Sequence, residues 1–375
     1  MRKYAISGNT LSPEIEPSER AILDGLDDRL AGVLPDGWST QLIEPAVGII
    51  AGRGDRHCRD AELMLSAPDG QQALIAVELS RRLDPKFVPV AIDRLERRAW
   101  GRDFRARVVA AAYLSPRTRA LLAESGVGYV DATGNLRLVL DRPAVFVASE
   151  GASSNPWEKM RDRQLRSLKG PTAGRVVRAL CDFRPPYGVE ELARRSGTSL
   201  GSVSRVFAFL DLEGLIMREP RGPVTGVKWA DLIQRWTEDY SFARSNVTRG
   251  FLEPRGLPAL VDELKVASFR YALTGSLAAT RIAPIAAPRL ATIYVERIDL
   301  AAEALGLRTA ETATNVILAE PFDPIVFDRV WVRDDNNYAA LPQVAVDLLT
   351  GPGRSPAEGA ELLRWMTENE NAWRT

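Results

Sequence analysis

Histidine and cysteine are nearly absent from this chain of 375 residues: His57 is the single histidine, and Cys58 and Cys181 are the two cysteines. Two cysteines far apart in sequence form neither a disulfide framework nor a zinc-ligand pattern, and one histidine excludes a multi-histidine metal site. Lysine is scarce too, confined to Lys3, Lys86, Lys159, Lys169, Lys228 and Lys265, so arginine supplies most of the basic charge. No stretch approaches the roughly 18 apolar residues of a membrane span, and the first residues lack the apolar run of a secretory signal. These absences predict a cytoplasmic protein. Net charge is missing as well, since 49 Lys and Arg balance 49 Asp and Glu. Any attraction to nucleic acid must therefore come from a local patch rather than a whole-molecule field.

What is present is the composition of a folded globular chain, with 45% hydrophobic and 26% charged residues. The length exceeds one ordinary core. We read it as α+β and multidomain: a mixed-sheet domain over 1–152, a smaller domain over 158–229 and an α/β domain over 230–375. The segment from Glu150 to Trp157, rich in Ser, Gly, Asn and Pro, marks the first boundary. In the first domain, Ile22, Leu23, Leu26, Leu30 and Val33 fall at helical spacing. Strands are expected at 61–65, 73–79, 107–114, 128–131 and 136–140, with helices near 88–98 and 116–124, a pattern that predicts a mixed sheet covered by helices. In the last domain, helices are expected at 229–240, 258–264, 276–282, 343–350 and 356–368, with strands at 271–274, 291–295 and 315–318.

The strongest functional signal begins at Tyr187. Val189, Leu192 and Ala193 suit the buried side of a short helix, and Gly197 stands where the chain needs a tight turn. Ser199 suits a helix N-cap, and Val203, Val206, Phe207 and Leu210 form one apolar stripe at i, i+3, i+4 and i+7. Ser202, Ser204 and Arg205 occupy the opposite face, residue types able to enter a major groove and meet base edges. Beyond Gly214 the chain predicts a strand, a turn rich in Arg, Gly and Pro, and a second strand, placing Arg218, Arg221 and Lys228 on or beside a wing. Residues 159–228 hold 14 Lys or Arg against 7 Asp or Glu, a local excess in a neutral chain. Contacts of that kind with phosphate release counterions, so binding should fall steeply with salt. This stretch resembles the winged helix-turn-helix of bacterial transcriptional regulators.

In the first domain, Asp60 precedes the turn at Pro68 to Gly70, and Glu78-Leu79-Ser80 follows on the next strand. The layout resembles the PD-(D/E)XK nuclease core, in which an Asp and a Glu hold magnesium and a Lys two residues after the Glu helps activate water. Ser80 occupies that Lys position, and Arg81, Arg82 or Lys86 would have to substitute. The core therefore reads as degenerate, with Asp60 and Glu78 either magnesium ligands or charged strand ends. Tyr129, Asp131, Gly134, Asn135 and Arg137 form a second polar cluster, which either joins those carboxylates or closes a hairpin. His57 and Cys58 are adjacent, and sequence neighbours rarely face each other as a nucleophilic pair.

In the last domain, Thr274-Gly275-Ser276 after a strand resembles the nucleotidyltransferase fold, but the strand from Thr292 to Asp299 lacks the metal-holding Asp-x-Asp pair. A winged helix followed by such a domain resembles the AbiEi family of antitoxins of type IV toxin-antitoxin systems, over roughly residues 170–330. That resemblance implies operator binding and autoregulation, with Ser202, Ser204, Arg205, Arg218 and Arg221 as DNA contacts. The long first domain departs from the family's simpler plan. A toxin partner fits the resemblance, though no residue identifies one. Trp365 and Trp373 are expected to close a core.

Two functions stand at this point. One is a sequence-specific, double-stranded-DNA-binding regulator without cofactor, a homodimer associated with the nucleoid, whose contacts are Ser199, Ser202, Ser204, Arg205, Arg218, Arg221 and Lys228. The other is a magnesium-dependent deoxyribonuclease with Asp60 and Glu78 as ligands. A third reading, in which the winged helix docks a protein, is opposed by the local positive excess.

Overall fold

The structure, a computed structural model, describes residues 15–43, 61–157, 165, 167–219, 222–283, 286–310 and 313–375. Asp60, His57, Cys58 and Arg221 lie outside the described residues. The chain divides into two compact units, Met1–Asp162 with Leu212–Gly214 and Arg163–Asp211 with Leu215–Thr375.

The first unit begins with α1 (Glu19–Ala31), capped by Ser18, whose hydroxyl accepts from the Ala21 N–H. Ile22, Leu23, Leu26 and Leu30 are buried along one face of it, as their spacing predicts. Then come β1 (Ser39–Ile43), β2 (Ala61–Ser66), β3 (Gln72–Arg82), α2 (Val88–Ala99), β4 (Phe104–Tyr113), α3 (Pro116–Glu124), β5 (Gly128–Asp131), β6 (Leu136–Asp141) and β7 (Ala144–Ser149). The seven strands form one sheet in sequence order. β3, β4 and β5 run parallel to one another, because α2 and α3 supply the crossovers, and the remaining neighbours are antiparallel. The mixed sheet covered by helices is thus present, and β1 and β7 are two edge strands beyond those expected.

Alternation along the strands divides the first unit's interior into two clusters. Leu63, Ile75, Val77, Val108, Ala110, Val130 and Leu138 pack with α1. Ala76, Val109 and Ala111 point the other way and pack with Val88, Ala91 and Leu95 of α2 and Leu122 of α3.

The second unit contains α4 (Pro171–Asp182), α5 (Val189–Ser196), α6 (Leu200–Leu212), β8 (Ile216–Arg218), β9 (Val224–Val227) and α7 (Trp229–Thr237). It continues through α8 (Phe242–Ser245), β10 (Val247–Leu252), α9 (Leu257–Leu264), β11 (Tyr271–Thr274), α10 (Gly275–Ala279), β12 (Ala291–Val295), α11 (Ile298–Ala304), β13 (Arg308–Thr309), β14 (Val316–Glu320), β15 (Trp331–Arg333), β16 (Asn336–Tyr338), α12 (Leu341–Leu349) and α13 (Ser355–Glu368). A second seven-stranded mixed sheet has the order β13-β10-β14-β12-β11-β16-β15, and β8 with β9 makes a separate two-stranded sheet. Of the second sheet's strands, β10, β13, β15 and β16 go beyond the sequence expectation, and the helix expected over 276–282 is the shorter α10.

One hydrophobic core runs through this unit, from Val176, Leu192 and Phe207 by way of Trp236 to Leu273, Ile293 and Val344. Trp373 meets Trp229 edge-on, with ring centroids 4.9 Å apart, and Trp365 packs against the same core, so both tryptophans serve packing.

Candidate nucleic-acid interface

α5 and α6 are joined by Gly197, which adopts the left-handed conformation at φ 60° and ψ 34°. That geometry lets the Gly197 and Thr198 N–H groups return to the carbonyls of Arg194 and Ala193, ending α5 and turning the chain. Arg175 of α4 braces the turn. Its Nε bonds both oxygens of Asp323 at 3.0 Å, while Nη1 reaches the Gly197 carbonyl at 3.4 Å. The bond to the carboxylate raises the Arg175 pKa, so the brace stays charged.

α6 turns its apolar stripe inward: Val203, Val206, Phe207 and Leu210 are all buried. Each such side chain stabilises the unit by about 2 kcal/mol on burial, which fixes the helix's rotation and therefore which residues face out. Ser199, Ser204 and Arg205 are exposed, and Ser202 is half-buried. The Ser199 hydroxyl accepts from the Ser202 N–H at 3.2 Å and lies 2.9 Å from the Ser202 hydroxyl. Ser199 is therefore the N-cap its residue type suggested. Arg205 Nη2 donates to Ser202 Oγ at 3.3 Å, so cap, serine and guanidinium form one connected surface row.

The strands that follow close against the helices. The Met217↔Gly226 register pair sits mid-hairpin, and Tyr187 bridges to Val224 with N–H to carbonyl bonds in both directions, 3.2 and 3.0 Å. At the base, the Lys228 N–H bonds the Leu215 carbonyl at 2.9 Å. The Lys228 side chain is exposed. Arg218 is half-buried, with its guanidinium 5.6 Å from the Phe207 ring centre, so part of that side chain is spent on packing.

Exposed residues of these elements that were not singled out from the sequence include Arg194 in the last turn of α5, Leu200 at the start of α6 and Met217 on β8. Leu200 and Met217 are each about half exposed, at 52% and 53%. A signal for Arg194 existed in its position on the polar side of the Val189-Leu192-Ala193 stripe.

Of the two predicted metal candidates, Glu78 is among the described residues. Glu78 is 2% exposed and faces α2, where Arg94 Nη1 lies 3.4 Å from its Oε1. Glu62 on β2 shares that face and is held by Arg102, with Arg98 3.6 Å away. Arg98 also donates to the Val77 and Ala61 carbonyls at 3.0 and 2.8 Å. The Ser80 hydroxyl donates to the Arg82 carbonyl at 2.9 Å. Among the described residues no group of three His, Cys, Asp or Glu side chains is arranged to hold a metal ion.

The polar cluster around Asp131 closes a hairpin. The buried carboxylate accepts from the Leu114 N–H, the Thr133 N–H and hydroxyl, and the Asn135 N–H and side-chain amide, at 2.7 to 3.1 Å. Asp131 thus fixes the turn between β5 and β6.

In the second unit, the strand-turn-helix at Thr274-Gly275-Ser276 is tied into the scaffold. The Thr274 hydroxyl donates to Asp347 at 2.6 Å, and the Ser276 hydroxyl donates to Glu358. Asp347 also accepts from Tyr240, Tyr294 and Gln343 at 2.7 to 2.9 Å. Burial pushes the Asp347 carboxyl up to about 6 against the pull of those donors. Tyr240 and Tyr294 are held well above the ordinary tyrosine range, first by burial and then by the nearby carboxylate. Burial likewise raises Cys181 to about 12, which keeps it an unreactive thiol.

No family model and no curated protein matches the chain. Among solved structures, the apo form of EndoMS is similar over 31% of this chain and 47% of that one, at 15% identity and a TM-score of 0.21. The chain therefore spans about half the length of that structure.

Proposed function

We propose that α4, α5, α6 and the β8–β9 hairpin form a winged helix-turn-helix and that the protein is a sequence-specific regulator of double-stranded DNA. In this reading α6 is the recognition helix. Ser199, Ser202, Ser204 and Arg205 meet base edges or phosphates, and Arg218, Arg221 and Lys228 belong to the wing or its base. The observation that carries the reading is the connected outward row of Ser199, Ser202 and Arg205 on a helix whose rotation is locked by four buried side chains. Arginine in that position can bond guanine bidentately, and the serines can serve either base or backbone.

The cell location that goes with this reading is the cytoplasm at the nucleoid, and the assembly is a homodimer, because two copies of one recognition helix match a two-fold operator. Among the described residues no helix is long and apolar enough to cross a membrane. An antitoxin-like role, with the strand-turn-helix at Gly275 as inert scaffold, is the extension of this reading that the resemblance to AbiEi suggests. The magnesium-dependent nuclease draws little support from Glu78, whose carboxylate faces Arg94, or from Ser80 in the lysine position.

The experiment is binding to a labelled duplex from the chain's own upstream region against a scrambled duplex, across a salt series with magnesium present, with products run on a denaturing gel. Arg205→Ala should weaken selective binding by roughly 1 to 3 kcal/mol if Arg205 reads a base. Salt-insensitive binding, or none, overturns the regulator, and cut product moves the assignment to the nuclease.

A further inference from the structure

A cavity of about 420 Å³ opens on the first unit's sheet near the starts of β4 and β5. Its wall contains four arginines, Arg102 after α2, Arg105 and Arg107 on β4 and Arg137 on β6, and one carboxylate, Asp141. Gly126 and Gly128 line it as well, and Gly126 would place no added side-chain atom against any neighbour, so that wall is open.

The donor count is what distinguishes this cavity. Each guanidinium carries five N–H donors and no acceptor. Arg105 spends one contact on Asp103 at 2.8 Å, and Arg107 spends one on Glu96 at 3.3 Å. Both carboxylates are mostly in solvent, at 80% and 58% side-chain exposure, and neither lines the cavity. Exposed pairs of that kind contribute little and exchange partners readily. Arg102 is held more firmly by Glu62. Arg137, half-buried on β6, has no side-chain partner among the described residues. The wall is therefore rich in donors and poor in acceptors. An anion with several acceptor oxygens would complete it, and arginine forks match phosphate bidentately.

We propose that this cavity binds phosphate, presented either by a nucleic-acid backbone or by a free nucleotide or pyrophosphate. Arg137 and Arg107 are the principal donors, with Arg102 and Arg105 at the rim. The proposal concerns the first unit alone and does not depend on the role assigned to α6.

The test uses the full chain and two probes, inorganic pyrophosphate by calorimetry and a scrambled 20-base-pair duplex across a salt series. Arg137→Gln removes no bond present in the structure, so its fold should be kept, and an unchanged melting transition verifies this. Arg107→Gln is the second variant. Either substitution should weaken the bound probe about tenfold. For the duplex, the slope of log affinity against log salt should also fall by about one. Loss with the duplex, alone or together with pyrophosphate, supports the cavity as a site for backbone phosphate, and loss with pyrophosphate alone supports it as a site for a free nucleotide or pyrophosphate. If neither probe binds, or both bind the variants as tightly as the parent, the proposal is overturned. Arg205→Ala in the same series separates this outcome from failure of the recognition helix.

Discussion

The outward face of α6 and the α2-facing side of the first sheet use polar residues in opposite ways. On α6, Ser199, Ser204 and Arg205 stand in solvent, and the bonds by which Ser199 and Arg205 engage Ser202 set the geometry of those two without consuming them. On the first sheet, Glu62 and Glu78 are buried against arginines, and Asp131 is ringed by five donors. Burying a charge is costly unless it is paired, so the carboxylates were committed when the sheet folded, whereas the α6 row keeps free hydrogen-bonding capacity. The contrast separates residues that hold the protein together from residues able to hold something else.

Substitutions can break or sharpen this contrast. The largest effect is expected for Asp131→Ala, which orphans the donors around the β5–β6 turn. It should cost the first unit about 4 kcal/mol in urea denaturation, and retained DNA selectivity in the folded fraction would keep the two classes apart.

Asp347 extends the sealed class to the second unit through its pH dependence. Its carboxyl is raised from 3.8 to about 6, so the folded state binds the proton more tightly than the unfolded chain. Its contribution is present below about pH 4 and is lost as pH rises through about 6, a change of at most about 3 kcal/mol. Asp347→Asn should flatten that part of the stability profile between pH 4 and 7, and a slope unchanged from the parent would refute the assignment.

Ser199→Ala stands between the classes, because the hydroxyl both caps α6 and faces solvent. It should lower stability by about 1 kcal/mol and also reduce DNA affinity. The smallest stability effect is expected for Ser204→Ala, within about 0.5 kcal/mol, with any change confined to operator selectivity in a gel-shift titration. A destabilisation as large as that of Ser199→Ala would place Ser204 among the structural residues and blur the contrast.

Much of the helical framework was legible in the sequence because it is local. The stripe of α6, the cap at Ser199 and the turn glycine at Gly197 each depend on residues within a few positions of one another. Three of the strands that escaped notice are too short to show a pattern: β13 has two residues, and β15 and β16 have three each. They exist because neighbouring strands offer them hydrogen bonds. Leu200 shows the opposite failure of local reasoning. Its spacing to Val203 and Phe207 would extend the apolar stripe, yet it is about half exposed. The state of Glu78 was illegible for a different reason, since Arg94 reaches it only after α2 folds back over β3. Asp60 and Arg221 lie outside the described residues, so for them sequence remains the only guide.

β4 has a parallel neighbour on each side, and Val109, Ala110 and Ala111 in its second half are paired on both and have no solvent exposure. With both edges occupied and both faces covered, the amide protons of this stretch have no local route to deuterium. They should exchange only when the whole first sheet comes apart, at the free energy of global unfolding of that unit. Three consecutive amides would then serve as an internal gauge of the unit's cooperativity, readable as deuterium uptake by mass spectrometry without any ligand.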